Sequence, residues 1–316
     1  MKVARYTSDN ASRWDGLVRE SKNGTFLVER AYMDYHADRF YDHSLMLLDD
    51  RDRLVGVIPA HEHGHRFISH AGLTFGGVVS GPSMTTPMML DIFDCVRRYL
   101  IQADFRTWVY KTIPHIYHRY PADEDRYALF RAQAKLYRID VLSVIPMRKR
   151  FDYQERRRRR IKSASRLGLL VQRSCDFRGF WRILESNLAC RHRLKPVHTV
   201  DEIERLHGCF PDAIRLHLCM EADAIVAGIV VYDSPMVAHA QYIAASARGM
   251  EIGALDYLLA YVIDYEYVSR PYFDLGSSNE DEGRVLNQGL IEYKEGFGAR
   301  AVVHEFFELP LSQSEA

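Results

Sequence analysis

Apolar positions along the chain recur sometimes every second residue and sometimes at helical intervals, so the pattern predicts many short elements of both kinds. In the amino-terminal half, helical spacing of Tyr32, Tyr35 and His36 predicts a helix over 29–40. SLMLL and LVGVIPA flank the turn residues Asp49 to Asp52, the pattern of a hairpin. A glycine-containing stretch from Ser69 to Pro82 leads to an amphipathic helix near Leu90 to Gln102, with Ile92, Val96, Tyr99 and Leu100 on one face. RTWVY and LYRIDVLSVI read as strands around a helix at 123–134.

The pattern breaks between Pro146 and Gln154, which places a domain boundary near 150 and divides the chain into 1–150 and 151–316. The second half reads as a basic helix (154–167), a strand LLVQR, and a helix from Asp176 to Arg191 capped by Asp176. AIRLHLC and IVAGIVVYD form a hairpin across EADA, and VAHAQYIA adds a third strand. A helix from Ile252 to Tyr267, strand YFDLG, loop SSNEDEG, a helix opened by Arg284 and the strand AVVHEFFEL complete the order. The hairpin at Asp52–Ile58 has a weak echo at Asp223–Ile229, each with a charged turn and a glycine in the return strand, as two copies of one α/β unit would leave.

Composition narrows the class. With 316 residues, 47% hydrophobic and 27% charged, the chain has the makings of a globular core and not of a disordered or fibrous protein. The longest apolar run, Ile225 to Tyr232, is far too short to span a bilayer, and MKVARYTSDN lacks a signal peptide's apolar core. Five scattered cysteines without a Cys-x-x-Cys pair fit reduced thiols, so a cytoplasmic location is expected. Formal net charge is +0, yet Arg148 to Arg166 holds ten basic residues against Asp152 and Glu155.

The densest polar cluster lies between Tyr272 and Gly298, where a strand ends at Asp274 and runs into a polar loop and then a helix. Asp274, Ser277, Ser278, Asn279 and Asn287, with Lys294 late in the helix, exceed what a plain connection requires, and the end of a strand is a common ligand site; Arg284, which opens the helix, is a further substrate-binding candidate. A solvated loop that favours a helix N-terminus would account for Asp281 and Glu282 alone.

The succession Phe-Asp-x-Gly, polar loop, Gly-Leu-Ile and Tyr-Lys-x-x-Phe-Gly before the last strand resembles the Fem-type peptidyltransferases and their acetyltransferase-like relatives in the GCN5-related N-acyltransferase superfamily. Arg158, Ile161, Ala164 and Gly168 match the basic helix of that pattern, and the resemblance covers roughly residues 155–308. The first half looks like the amino-terminal unit of bacterial members associated with surface polysaccharide. The resemblance implies an α/β (α+β) protein of two tandem acyl-CoA N-acyltransferase-like units, each a mixed, mostly antiparallel sheet flanked by helices. It implies acyl transfer from an activated carrier to an amine, without a covalent enzyme intermediate, and makes Lys294 the donor to the oxyanion.

For the carrier, the resemblance places a pyrophosphate-binding loop at Arg248, Gly249, Gly253 and Ala254, with Glu251 where the motif has glycine, a carboxylate that would repel phosphate. Acyl-CoA is the expected co-substrate and no metal is expected. Arg156 to Arg160 would meet tRNA phosphates if the carrier were an aminoacyl-tRNA, but Ile161, Ala164 and Leu167 predict a core-packed helix with a solvated basic face. His198, in a cationic loop with Arg193 and Lys195, is a candidate base or phosphate contact, and Tyr242 a substrate contact. Tyr32 and His70, beside a glycine-rich loop, suit a sugar pocket. His61, His63 and His65 alternate on one strand face, yet Gly64 marks this as a hairpin tip. The expected function is N-acylation of an amino sugar or nucleotide-sugar precursor of the cell envelope. Aminoacyl transfer from tRNA to a peptidoglycan precursor, and a degenerate binding module, are the alternatives.

Overall fold

The computed structural model describes residues 1–192 and 195–311, which form two compact units. The first comprises Met1–Asp140 and takes back residues 281–284 and 303–311; the second comprises Val141–Glu280 and Val285–Val302. The chain therefore passes between units inside a strand, near Asp140, and not at the pattern break near 150.

In the first unit, β1 (Lys2–Arg5), β3 (Leu45–Leu48), β4 (Leu54–Ile58) and β7 (Val79–Ser80) form a four-stranded antiparallel sheet; β2 is Tyr41–Asp42. The strands β5 (Ala60–His63), β6 (Arg66–Ser69) and β8 (Thr107–Lys111) continue beside β2, and β9 (Lys135–Pro146) leads out of the unit. Helices α1 (Ala11–Glu20), α2 (Arg30–Met33), α3 (Thr86–Gln102) and α4 (Glu124–Arg131) flank these strands. Ile92, Val96 and Leu100 of α3 pack with Phe67, Trp108 and Tyr110 into one core. The predicted hairpin of β3 and β4 is present, with Leu47 opposite Gly56.

The second unit is one six-stranded stretch of mixed sheet, in the order β10 (Leu170–Ser174), β11 (Ile214–Glu221), β12 (Ala224–Asp233), β13 (Val237–Ala245), β14 (Tyr272–Ser277), β9. All neighbours are antiparallel except β13 and β14. The helices are α5 (Glu155–Ala164), α6 (Phe177–His192), α7 (Val200–Cys209), α8 (Ala247–Ile252), α9 (Ala254–Tyr261) and α10 (Gln288–Glu295). Short strands β15 (Asn279–Glu280) and β16 (Val285–Leu286) pair ahead of α10, and β17 (Arg300–Pro310), which follows it, belongs to the first unit from residue 303 and pairs there with β8. Leu258, Leu259 and Val262 pack with Ile229, Val231 and Phe273, while α6 lays Phe180 against Gly228, where any Cβ would lie 2.3 Å from the ring. Among the described residues no helix is long and apolar enough to cross a membrane.

Several predicted helices have different bounds, each for a local reason. The helix expected over 29–40 is only α2 followed by a 3₁₀ turn at Asp34–His36, because the buried Arg30 guanidinium bonds both Asp34 and Asp42 at 2.5 Å and draws the next segment back. Helix α3 begins four residues early, since Thr85 caps it and Pro87 suits its first turn. The helix expected from Ile252 to Tyr267 starts instead at Ala247, capped by Ser246, and breaks at Gly253, whose φ of +77° is left-handed. The helix expected to open at Arg284 opens at Asn287, because residues 285–286 are spent in β16. Helix α5 stops at Ala164, which leaves Leu167 exposed beyond its end, and it buries Arg157, since Asp256 of α9 supplies the counter-charge.

Gly249 has no room for a side chain, as an added Cβ would lie 1.9 Å from the Val226 carbonyl oxygen. Gly249→Ala is expected to destabilise the fold by about 2–3 kcal/mol in urea melts. Gly16→Ala, with nothing within 4 Å in mid-α1, is expected to stabilise it by about 0.5–1 kcal/mol.

Candidate active site

The site is built where two parallel strands part. Strand β13 pairs with β14 only at Val237–Tyr272, Ala238–Phe273 and His239–Asp274; beyond that pair β13 runs on to Ala245 without β14 beside it. Both strands are irregular just there. Gln241 is an extra residue in β13, bulged opposite the Val230–Val231 step, and the pairing of β14 with β9 is interrupted between Asp274 and Ser277. Within that interruption Gly276 takes φ +74°, fixed by the Asp274 Oδ1 acceptance of the Gly276 N–H at 2.7 Å.

The distorted backbone turns two carbonyls toward α10. Lys294 Nζ donates to Gly276 O at 3.0 Å and to Ser277 O at 2.7 Å. An ammonium has three N–H donors, so one remains. The side chain is 6% exposed, and burial lowers its pKa from 10.5 to about 8 against the opposing pull of the Asp274 carboxylate. At neutral pH it remains a cation. Asp274, 1% exposed, also accepts from His239 Nδ1 at 2.9 Å.

Lys294 closes one side of a cavity of about 320 Å³. Its walls are Leu184, Asn187 and Leu188 of α6, Ile243 of β13, Leu255 of α9, Leu275 of β14, and Leu290 and Tyr293 of α10. Leu290 and Lys294 face it together because residues four apart share a helix face. A second cavity of about 300 Å³ shares Leu255 and Tyr293 with the first, and is lined by Arg156, Arg157, Arg160, Gly249, Met250 and Asp256. Arg157 is ion-paired with Asp256 and lies over the Tyr293 ring at 4.6 Å; Arg160 bonds the Met250 carbonyl at 2.6 Å and Asp256 at 3.2 Å. One carboxylate thus serves two arginines, leaving this cavity cationic.

The structure brings together some of the sequence candidates and separates others. Lys294, Asp274 and Ser277 meet as described. Asn279 accepts the Val141 N–H at 2.6 Å and so ties the loop to β9, and Asn287 caps α10 through the Leu290 N–H at 3.0 Å while donating to Glu280. Arg284 is exposed in the turn between β15 and β16, in a segment grouped with the first unit. His198 is buried with its Nδ1 against the Tyr242 hydroxyl, and neither residue lines the Lys294 cavity. Its loop partner Arg193 lies outside the described residues. Arg248 is held at the surface by Glu221 at 2.7 Å and Glu251 at 3.1 Å; the Gly249 N–H bonds the Ser246 cap at 3.0 Å, and buried Ala254 begins α9 after Gly253. The stretch that the resemblance made a phosphate loop is therefore a capped helix with a neutralised arginine. In the first unit Tyr32 and His70 are both 3% exposed; Tyr32 packs edge-on to Phe26 and Tyr35, and the His70 carbonyl accepts from Lys111 Nζ at 2.8 Å.

His239 was not among the sequence candidates. Its partner lies 35 residues away in the chain, and only strand register joins them. The available signal was the pair His239 and Gln241 on one face of an alanine-rich strand.

The sequence matches no family model and no curated protein. The fold has solved counterparts. FemX superposes with a TM-score of 0.68 at 12% identity, over 99% of this chain and 98% of that one. The C-terminal domain of a putative lysylphosphatidylglycerol synthetase from Agrobacterium fabrum gives 0.62 at 11%, over 98% and 93%. A tandem GNAT protein from the clavulanic acid biosynthesis pathway gives 0.51 at 12%, over 99% of both chains. The expected fold, two tandem N-acyltransferase-like units of mixed sheet and flanking helices, is the one found.

Lys294 binds a proton more readily when the chain is unfolded, so between about pH 8 and 10.5 unfolding takes up a proton and stability rises with pH. Lys294→Met should remove that rise. The expected difference in slope between wild type and variant, on the order of 2–3 kcal/mol across this window, is read from urea melts at pH 7.5 and pH 10.

Proposed function

We propose that the protein is an N-acyltransferase, moving an acyl group from a phosphate-bearing activated carrier to the amine of an acceptor. The observation that carries this reading is the buried Lys294 ammonium, held by two carbonyls at the parting of β13 and β14 and facing an apolar cavity. The acyl chain would occupy the cavity between Ile243 and Leu275, with its carbonyl oxygen toward the remaining Lys294 N–H. As the amine nitrogen bonds to the carbonyl carbon, the oxygen gains negative charge, and a preplaced cation in a water-poor site stabilises it without reorganisation. Collapse breaks the bond to the carrier and leaves an amide.

Acyl-CoA is the carrier we favour, with its phosphates in the adjoining cavity at Arg156 and Arg160 and not at Arg248, whose charge is already met. The acceptor is taken to be an amino sugar of a cell-envelope precursor, on the resemblance of the first half. A second reading, aminoacyl transfer from tRNA, is favoured by Arg156, Arg158 and Arg159, which are exposed on α5, the first of them lining the same cavity.

Thermal-shift measurements with acetyl-CoA and with aminoacyl-tRNA separate the carriers. The expected outcome is stabilisation by acetyl-CoA that Arg156→Ser with Arg160→Ser abolishes. Stabilisation by charged tRNA alone, weakening steeply with salt, would establish the second reading. With either carrier, Lys294→Met should lower kcat by about 100–1,000-fold while leaving carrier affinity within a few-fold, and an unchanged kcat refutes the assigned role.

A further inference from the structure

We propose that His239 is the general base of this reaction and that Asp274 positions it, an inference that rests on the acyl-transfer reading of the same site. A carboxylate only accepts hydrogen bonds, so the 2.9 Å contact between His239 Nδ1 and Asp274 Oδ2 places the imidazole proton on Nδ1. In the neutral ring Nε2 then carries a lone pair, and it bonds to none of the described residues. The side chain keeps 14% of its surface accessible, whereas Asp274 keeps 1%, so the ring reaches solvent and its orienting carboxylate does not.

Position argues for chemistry as well as for structure. His239 and Asp274 are the last pair before β13 and β14 separate, so the residue sits at the apex of the opening, beside the Lys294 cavity and not among the side chains that line it. A Cβ added to Gly276 would come within 3.4 Å of His239 Cε1, which shows that the ring edge lies against that residue. The carbonyl of the same Gly276 holds Lys294 Nζ at 3.0 Å. Base and oxyanion donor therefore flank a single residue, one at its α-carbon and the other at its oxygen. Asp274 Oδ1 fixes the Gly276 amide while Oδ2 fixes the ring, so one buried carboxylate sets the spacing of both groups.

In the step so assigned, His239 Nε2 takes a proton from the attacking amine nitrogen as its N–C bond forms. The carbonyl π pair moves to the oxygen facing Lys294. On collapse that pair re-forms the carbonyl, and the carrier's carbon–sulfur bond, or carbon–oxygen bond for an aminoacyl ester, breaks. The proton on Nε2 passes to the departing sulfur or oxygen, returning the ring to its starting form.

Two measurements test this. In the first, acetyl transfer from acetyl-CoA, or alanyl transfer from alanyl-tRNA, is followed to a UDP-linked amino sugar and to hydroxylamine, a nucleophile that needs little help from a base. His239→Gln is expected to lower kcat about 100-fold with the amino sugar and less than about threefold with hydroxylamine, with KM for the carrier unchanged. Equal losses with both nucleophiles, or no loss, overturn the proposal. In the second, ¹⁵N–¹H multiple-bond correlation spectra of histidine-labelled resting protein, with His239 identified from its absence in His239→Gln, are expected to show the Nδ1–H tautomer, lost in Asp274→Asn. An Nε2–H tautomer in the wild type overturns the proposal whatever the activity. Should the wild type transfer from neither carrier while the expected tautomer is seen, the acyl-transfer reading fails, the base assignment fails with it, and the dyad stands as structure alone.

Discussion

Parallel strands that stop pairing in mid-sheet leave backbone groups facing a gap, and the geometry of the second unit follows from that gap. The β13–β14 ladder ends at His239 and Asp274, and something must serve the groups beyond it. On the β14 side the carbonyls of Gly276 and Ser277 are served by a lysine ammonium reaching over from α10. The same separation admits the apolar side chains that line the cavity, Ile243 from one strand and Leu275 from the other. Without the left-handed Gly276 the two carbonyls would not turn together, and without Asp274 that conformation would lack its anchor.

Burial of charge is the second theme. A lysine at 6% exposure and the Arg157–Asp256 pair between α5 and α9 are costly to desolvate; the pair is matched by opposite charge, and the lysine by two carbonyls that leave one N–H for a ligand. The Arg157 guanidinium also stacks on Tyr293, a residue shared by the two cavities, so the ion pair and the cavity walls are mechanically joined. The basic run of α5 thereby splits by face: Arg157 and Arg160 turn inward to Asp256, and Arg158 and Arg159 remain in solvent.

Much of this order was legible in the sequence. The pairing of AIRLHLC with IVAGIVVYD is the β11–β12 hairpin, Asp176 caps the start of α6, and Lys294 stood out by its motif. What was not legible depends on partners distant in the chain. Arg157 reads as a solvated cation until Asp256 is seen opposite it. Residues 247–252 carry part of a phosphate-loop pattern, but the Ser246 cap and the Glu221 and Glu251 carboxylates make them a helix with its arginine spent. His239 is one polar residue in a strand, and its meaning comes only from the register that sets it beside Asp274.

A crystal structure of the protein with a non-transferable ketone analogue of acetyl-CoA would show whether Lys294 meets the acyl oxygen. The ketone oxygen is expected within about 3 Å of Lys294 Nζ, the acyl end between Ile243 and Leu275, and the phosphates beside Arg156 and Arg160. An analogue bound with its ketone elsewhere, and the opening between β13 and β14 left empty, would contradict it.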